Sequence, residues 1–275
     1  MRKSLLMKKI RTFIIDAFTD ESFKGNPAGV CLLEESLSEE TMQNIAAELN
    51  LSETAFIKLV RRNQYTIRYF TPTTEVSFCG HATLASCKLL LTRFDLKEVI
   101  FTTNHHLEIN AYQENGQVSM HFPLYHLIEF TPSSKLLTAL QLTDVSYCGF
   151  NTDLHMALIV SESAASVRSV APDYAALVKA PDRIKEVVIT SPSDDPKYDF
   201  ISRCFCPWIG INEDPVTGAT HTILSSYWSA RLNKNNLMSY QASKRGGSMK
   251  IEILDSNRIL VTSNAVIVLE GDMLV

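Results

Sequence analysis

The segment from His81 to about Thr92 follows Gly80 and is apolar almost all the way round. A helix without a polar face cannot lie on a surface, so this one is read as central and wrapped by other elements. A second glycine-opened helix is read from Gly218 to about Leu232. Nearly everything else that is periodic consists of short strand-like runs. Runs of strands with only a few long helices point to mostly antiparallel α+β lobes, not to alternating βαβ units. A length of 275 residues accommodates two packed lobes.

In the first half, Thr12–Phe18 reads as a strand. Gly25-Asn26-Pro27 breaks the chain, and Ala28–Leu33 resumes as a short buried strand. Ser36-Leu37-Ser38-Glu39 has capping-box spacing, and Met42, Ile45, Ala46 and Leu49 then share a helical stripe. Tyr65, Ile67 and Tyr69 alternate with polar residues, as in a half-buried strand. Asn115-Gly116 between Leu107–Tyr112 and Val118–Phe122 is a hairpin signal. The second half repeats this layout. Strands are read at Met156–Val160, Val187–Thr190 and Ile201–Cys206, then near Met249–Leu254, Arg258–Val261 and Ala265–Leu269.

Phe78-Cys79-Gly80-His81-Ala82-Thr83-Leu84 echoes Val216-Thr217-Gly218-Ala219-Thr220-His221-Thr222: a strand end, a glycine, small residues, then an apolar helix. With the layout of the halves, this predicts two related lobes, 1–126 and 127–275, the C-terminal strand being free to return to the first.

The net charge is −4, which disfavours nucleic acid and anionic membrane as partners. No segment approaches the roughly 18 apolar residues of a membrane span. The apolar run in MRKSLLMKKI is too short for a signal-peptide core, and the first eight or so residues read as a loose extension. The six cysteines are scattered, mostly within apolar runs. A cytoplasmic protein with reduced thiols is expected. No phosphate-cradling glycine loop is present, so no cofactor is expected.

Three segments carry polar residues that neither a core nor a plain turn requires. Asn50-Leu51-Ser52-Glu53-Thr54-Ala55-Phe56-Ile57 sets a carboxylate between an amphipathic helix and an apolar strand. A lone loop glutamate is ordinarily solvated; a partly buried one is suited to proton transfer. In Phe78-Cys79-Gly80-His81, the glycine permits close approach of a ligand, and the helix N-terminus attracts an anion. The plainer alternative is a buried histidine beside a packing glycine. In Gly210–Gly218, Glu213 and Asp214 precede Pro215 and a helix-opening glycine. They either stabilise a helix N-terminus or form a second polar jaw, with Asp214 facing Glu53 and His81 across a cleft.

Gly25-Asn26-Pro27-Ala28, Leu51-Ser52-Glu53-Thr54-Ala55-Phe56, Phe70-Thr71-Pro72, Cys79-Gly80-His81-Ala82-Thr83 and Glu213-Asp214-Pro215-Val216-Thr217-Gly218 together resemble the signature segments of the PhzF (phenazine biosynthesis-like) family, in order and spacing. The resemblance runs from Thr12 onward. It implies a diaminopimelate epimerase-like α+β fold of two pseudo-symmetric lobes, each a mostly antiparallel, β-barrel-like sheet around a central helix. It further implies a cofactor-independent isomerase, a homodimer and a small carboxylate substrate. On this sequence the family's catalytic glutamate falls on Glu53, its histidine on His81, its aspartate on Asp214 and the serine beside the glutamate on Ser52. Gly80, Thr217, Gly218 and Ala219 are the other expected substrate-binding positions. Where the family often has Gly-Ser-Ala-His, this chain has Gly218-Ala219-Thr220-His221, so Thr217 or Thr220 would have to replace a missing hydroxyl.

Epimerases of the related fold use one thiol from each lobe. Here Cys79 is present but no cysteine lies between Asp214 and Thr222. A single carboxylate base suits a double-bond shift, with Glu53 removing a proton and returning it elsewhere on the same face. The competing readings are a Cys79/His81 thiol hydrolase, a metal protein built on Cys204, Cys206, His81 and His221, and a catalytically silent binding protein. The thiol reading is weakened because a Cys and a His two residues apart at a helix start need not face each other.

Overall fold

A computed structural model describes residues 8–180 and 183–275. The expected loose extension lies, for residues 1–7, outside the described residues. The first part of the chain forms β1 (Lys9–Ala17), β2 (Asn26–Leu33), α1 (Glu39–Leu49), β3 (Thr54–Arg61), β4 (Gln64–Phe70), β5 (Glu75–Val76), α2 (Gly80–Arg93), β6 (Glu98–Thr103), β7 (Glu108–Glu114) and β8 (Gln117–Pro123). The chain continues with β9 (Ile128–Glu129), α3 (Ser134–Leu140), β10 (Val145–Asn151), β11 (Met156–Ser161), α4 (Ala164–Ser169), α5 (Tyr174–Lys179), β12 (Glu186–Pro192), β13 (Phe200–Cys206) and β14 (Ile211–Asp214). It ends with α6 (His221–Leu232), β15 (Asn236–Gln241), β16 (Gly247–Ile253), β17 (Arg258–Ser263) and β18 (Ala265–Leu274).

These elements group into two compact units, one ending at Met120 and completed by Ser263–Val275, the other His121–Thr262. In the first unit the strands run β18-β1-β2-β3-β4-β6-β7-β8, with β5 on the far end of β4. In the second they run β9-β10-β11-β12-β13-β15-β16-β17, with β14 on the far end of β13. The pairing sense repeats as well. Among the described residues β2–β3 and β4–β6 are parallel in the first unit, and β11–β12 and β13–β15 in the second. The fold is α+β and mostly sheet. It is not closed into barrels: among the described residues no pairing joins β8 to β18 or β9 to β17.

The repeat extends to register. Ala55, Tyr69 and Val76 stand side by side across β3, β4 and β5, as Val188, Cys204 and Asp214 do across β12, β13 and β14. Arg68 forks onto Glu75 at 2.7 and 2.6 Å, and Arg203 forks onto Glu213 at 2.7 and 2.9 Å. Each guanidinium also lies over the phenylalanine two residues on, Phe70 or Phe205. Four residues past Val76 is Gly80, and four past Asp214 is Gly218, so the register matches the sequence echo. Glu213 is thereby fixed by an ion pair and does not serve as a helix-end charge.

Local signals explain the elements. Ser38, not Ser36, caps α1, its hydroxyl accepting from the Thr41 N–H at 3.1 Å, while Ser36 accepts from Lys58 Nζ at 2.8 Å. Asn115 and Gly116 both take positive φ, 50° and 80°, as a type I′ hairpin turn requires. Asn26 and Pro27 belong to β2 instead of breaking the chain before it. Pro27 lies before the first β2–β3 pair, Gly29 with Thr54, so its missing N–H costs no bond on that side. In the first unit α2 packs on the sheet face that carries Tyr69, whose hydroxyl meets Thr83 Oγ1 at 2.6 Å. The opposite face, with Phe56 and Phe70, is covered by α1 through Met42 and Ile45. In the second unit α6 anchors through Trp228, stacked on Phe200 at 5.5 Å and donating to Thr190 Oγ1 at 3.0 Å. Its other face is covered by α3, α4 and α5 through residues such as Leu136, Val167 and Leu177.

Gly29 is where the parallel start of β2 and β3 is tightest. A Cβ there would stand 2.7 Å from Thr54 Oγ1 and 3.1 Å from Leu49 Cδ1, and Thr54 is fully buried. Gly29→Ala should lower stability by about 1–3 kcal/mol, the usual range for overpacking. Urea unfolding checks this. Adding Thr54→Ala should return part of the loss, because the clashing atoms are then gone; strictly additive losses would show the crowding is not at this contact.

Candidate active site

The left-handed Asn50 ends α1, and Leu51-Ser52-Glu53 leads directly into β3. Because β3 runs parallel to β2, its start lies beside the start of β2, and the Gly29 N–H donates to the Glu53 carbonyl at 3.1 Å. That parallel start brings Glu53 and Asn26 to one end of the sheet. Helix α2 begins at the same end with Cys79 as its N-cap, Gly80 as its first residue and His81 in its first turn. Cys79 makes no side-chain capping bond to this helix, and the positive dipole end at its start attracts an anion.

The Glu53 carboxylate Oε2 lies 3.3 Å from His81 Nε2, with the glutamate side chain 17% and the histidine side chain 7% exposed. On the other side of the ring, Asn26 Nδ2 lies 3.3 Å and Cys79 Sγ 3.4 Å from His81 Nδ1. The Asn26 amide nitrogen only donates, so Nδ1 accepts and Nε2 carries the proton that it donates to Glu53. Burial pushes the His81 imidazole down from its usual 6.5 to about 4, so it is neutral at physiological pH. The positive end of α2 disfavours a second proton in the same sense.

Asn26 is the member of this cluster that the sequence reading did not select as a site residue. Its signal was its place within Gly25-Asn26-Pro27-Ala28, where a fully buried asparagine heads a strand. Cys79 and His81, which two residues apart at a helix start need not face each other, do so here, with Cys79 extended (φ −146°, ψ 114°) and its Sγ 3.4 Å from Nδ1. Among the described residues, Glu53, Cys79 and His81 form a trio whose donor atoms lie within 4.8 Å of one another and could hold a metal ion; Cys204, Cys206 and His221 form no such group.

In the second unit, Asp214 ends β14 and accepts a short bond from Thr217 Oγ1. Gln241 secures this turn, donating to the Asp214 carbonyl at 2.8 Å and to Thr217 Oγ1 at 3.1 Å while accepting from the Thr217 N–H at 3.0 Å. Gly218, Ala219 and Thr220 form a tight i→i+3 turn, and α6 starts at His221, three residues later than expected. Here the chain tightens before entering the helix, as helix ends commonly do. The Thr220 hydroxyl donates to the Thr217 carbonyl at 2.8 Å and is fully buried. The two hydroxyl protons expected to replace a serine at Ala219 are therefore engaged within the turn itself. Ser52 and Ala219 are half-buried.

A family model described as "Phenazine biosynthesis-like protein", PhzC-PhzF, matches residues 15–271. The chain belongs to the PhzC-PhzF family. It is 39% identical, over 95% of its own length and 97% of the relative's, to an uncharacterized isomerase of Halalkalibacterium halodurans. A crystal structure of a PhzF-family protein from Enterococcus faecalis superposes with a TM-score of 0.91 at 34% identity, covering 98% of this chain and all of that one. A predicted epimerase of Pseudomonas aeruginosa shares the fold, with a TM-score of 0.72 at 16% identity, covering 97% and 99% of the two chains. As a PhzC-PhzF member with relatives of this kind, the protein is an enzyme of the isomerase class. Among the described residues no helix is long and apolar enough to cross a membrane.

The buried neutral His81 has a thermodynamic consequence. The unfolded chain takes up its proton near pH 6.5, whereas the folded one resists until about 4. Stability is therefore full above about pH 6.5 and falls as pH drops through that window, by roughly 3 kcal/mol at most for one such group. Replacing His81 by Asn should flatten the fall in urea-unfolding free energy between pH 7.5 and pH 5. An unchanged slope would mean that His81 is not held neutral by burial.

Proposed function

We propose that the protein is a cofactor-independent isomerase that shifts a double bond in a small carboxylate metabolite, with Glu53 as the acid/base. The observation that carries this reading is the 3.3 Å contact between Glu53 Oε2 and a neutral His81 at the start of α2. Neutral His81 donates to Glu53 Oε2 and so orients the carboxylate that takes the substrate proton. Glu53 removes a proton from a carbon next to an electron-withdrawing group, and the electron pair moves into the conjugated system. The protonated Glu53 then returns that proton to a different carbon on the same face, so atoms and charge balance without a second base. The N–H groups at the start of α2 steady the negative charge that develops between the two transfers.

Ser52 and Gly80 take the substrate-binding roles that the resemblance gives them. Asp214, with Thr217, Gly218 and Ala219, takes the substrate-orienting role from the second unit. The same reading makes each unit an epimerase-like lobe and the protein a cytoplasmic homodimer.

One observation favours a second reading. Cys79 Sγ, His81 and Glu53 follow one another at 3.4 and 3.3 Å, the order of a thiol–imidazole–carboxylate relay. Two features weigh against it. The Nδ1 lone pair that would take the thiol proton already accepts from Asn26, and burial lowers the basicity of the ring.

Incubation of candidate small carboxylates in D₂O, with deuterium incorporation followed by mass spectrometry, tests both readings. Glu53→Gln keeps the size but cannot accept a proton, so exchange should fall by about 10²–10⁴-fold while ligand binding persists. Cys79→Ala should retain most of the exchange. A folded Cys79→Ala protein that loses orders of magnitude, beside a Glu53→Gln protein that does not, would transfer the role to the thiol.

A further inference from the structure

The repeated register identifies a residue that corresponds to Glu53. In the first unit Glu53 lies one residue before Thr54, which pairs with Phe70, whose neighbour across β5 is Glu75. In the second unit Glu186 lies one residue before Val187, which pairs with Phe205, whose neighbour across β14 is Glu213. The Arg68–Glu75 and Arg203–Glu213 forks fix the two alignments independently of the strand assignment. Of all positions at the start of β12, the one occupied by a carboxylate is the counterpart of Glu53.

Strand alternation places Glu186, Val188, Cys204, Cys206 and Asp214 on one face of the second sheet, opposite the face of Arg203, Phe205 and Glu213. Glu186 is partly buried at the start of β12, and its Oε2 accepts from Cys204 Sγ at 3.6 Å. Cys204 is the residue directly across from Asp214. Contact with Cys206 and burial push the Cys204 thiol far up, so it keeps its proton and serves as a donor. On the β11 side the residue facing Glu186 is Met156, which is apolar and buried. Among the described residues, the groups that act on Glu186 are thus Asp214 and Cys204, with Cys206 acting through Cys204.

We propose that Glu186 is the second unit's counterpart of Glu53 and works as a positioning residue, its carboxyl setting the charge beside Asp214 and, through Asp214, the seating of the Thr217 turn. The functional meaning of this proposal rests on the assignment of Asp214 to substrate orientation. Burial and then the charge of Asp214 raise the Glu186 carboxyl from 4.5 to about 7. As Glu186 ionises it adds a negative charge beside Asp214, on the face where an anionic substrate would be oriented. Charge repulsion then acts on Asp214, whose carboxylate holds the Thr217 hydroxyl.

The test needs no substrate, so its outcome is separate from that of the isomerase reading. Glutamate side chains are labelled with ¹³C at the carboxyl, and the Glu186 signal, assigned by its loss in Glu186→Gln, is followed against pH by NMR. In the native protein its midpoint should lie near 7. Asp214→Asn should move it down by on the order of one pH unit, the scale expected of coupled groups. Cys204→Ala should move it up, because the thiol hydrogen bond favours the carboxylate. The amide signals of Thr217 and Gly218 should step at the same midpoint, and the step should vanish in Glu186→Gln. A Glu186 midpoint unmoved by Asp214→Asn, or amide signals of the turn that do not follow it, would overturn the proposal. Should Glu186→Gln fail to fold, the signal is assigned by its loss in Glu186→Asp, and the Asp214→Asn and Cys204→Ala shifts, opposite in sign, decide it.

Discussion

Burial holds the His81 imidazole neutral between an amide and a carboxylate, and the local structure around it follows from keeping it there. A neutral ring has one donor and one acceptor nitrogen, so each side requires a partner of the opposite kind. Asn26 supplies the donor and Glu53 the acceptor, both at 3.3 Å. Bringing these two side chains to one ring demands that β2 and β3 begin side by side. That requires a parallel pairing, which in turn requires the α1 crossover between them. Gly29, at the first pair of that ladder, is small because Thr54 fills the space where its Cβ would be.

The same constraint separates the two chemistries available to this cluster. A thiol nucleophile needs a basic nitrogen pointed at it, whereas a carboxylate base needs a hydrogen-bond donor that does not itself become charged. The ring is driven towards the neutral state and its Nδ1 is already occupied by an amide. Those conditions weaken the first chemistry and leave the second intact. A protonated His81 would hold Glu53 as a strongly paired carboxylate and make it a poorer base; the neutral ring orients the carboxylate with less cost to its basicity.

Much of this was legible in the sequence because periodic burial and turn chemistry are local properties. The apolar circumference of the His81–Thr92 segment fixed a central helix, and Asn115-Gly116 fixed its hairpin. The Gly80/Gly218 echo proved to coincide with the strand register. What was not legible depends on neighbours remote in sequence. The cap of α1 fell on Ser38, while Ser36 is engaged by Lys58 from the next strand. The start of α6 shifted to His221 because the turn before it bonds to Gln241 of β15. Asn26 could not be told from a turn asparagine until β3 lay beside it. The short helices α3, α4 and α5 bury only one to three residues each, too little for a periodic stripe to stand out.

The repeat clarifies why the two units nevertheless differ in chemistry. In the repeated register His81 is the equivalent of Ala219, Cys79 of Thr217 and Val76 of Asp214. The first unit therefore combines its carboxylate with an imidazole donor at a helix start. The second combines Glu186 with a thiol donor and a neighbouring acid, and its helix is preceded by a turn whose hydroxyls bond within the turn. A carboxylate held by a neutral donor is available as a base. A carboxylate beside another carboxylate resists ionising, because the second negative charge must enter the field of the first. In the proposed assignment one scaffold position serves proton transfer in one unit and control of charge in the other, the difference arising from the residue that strand pairing sets next to it.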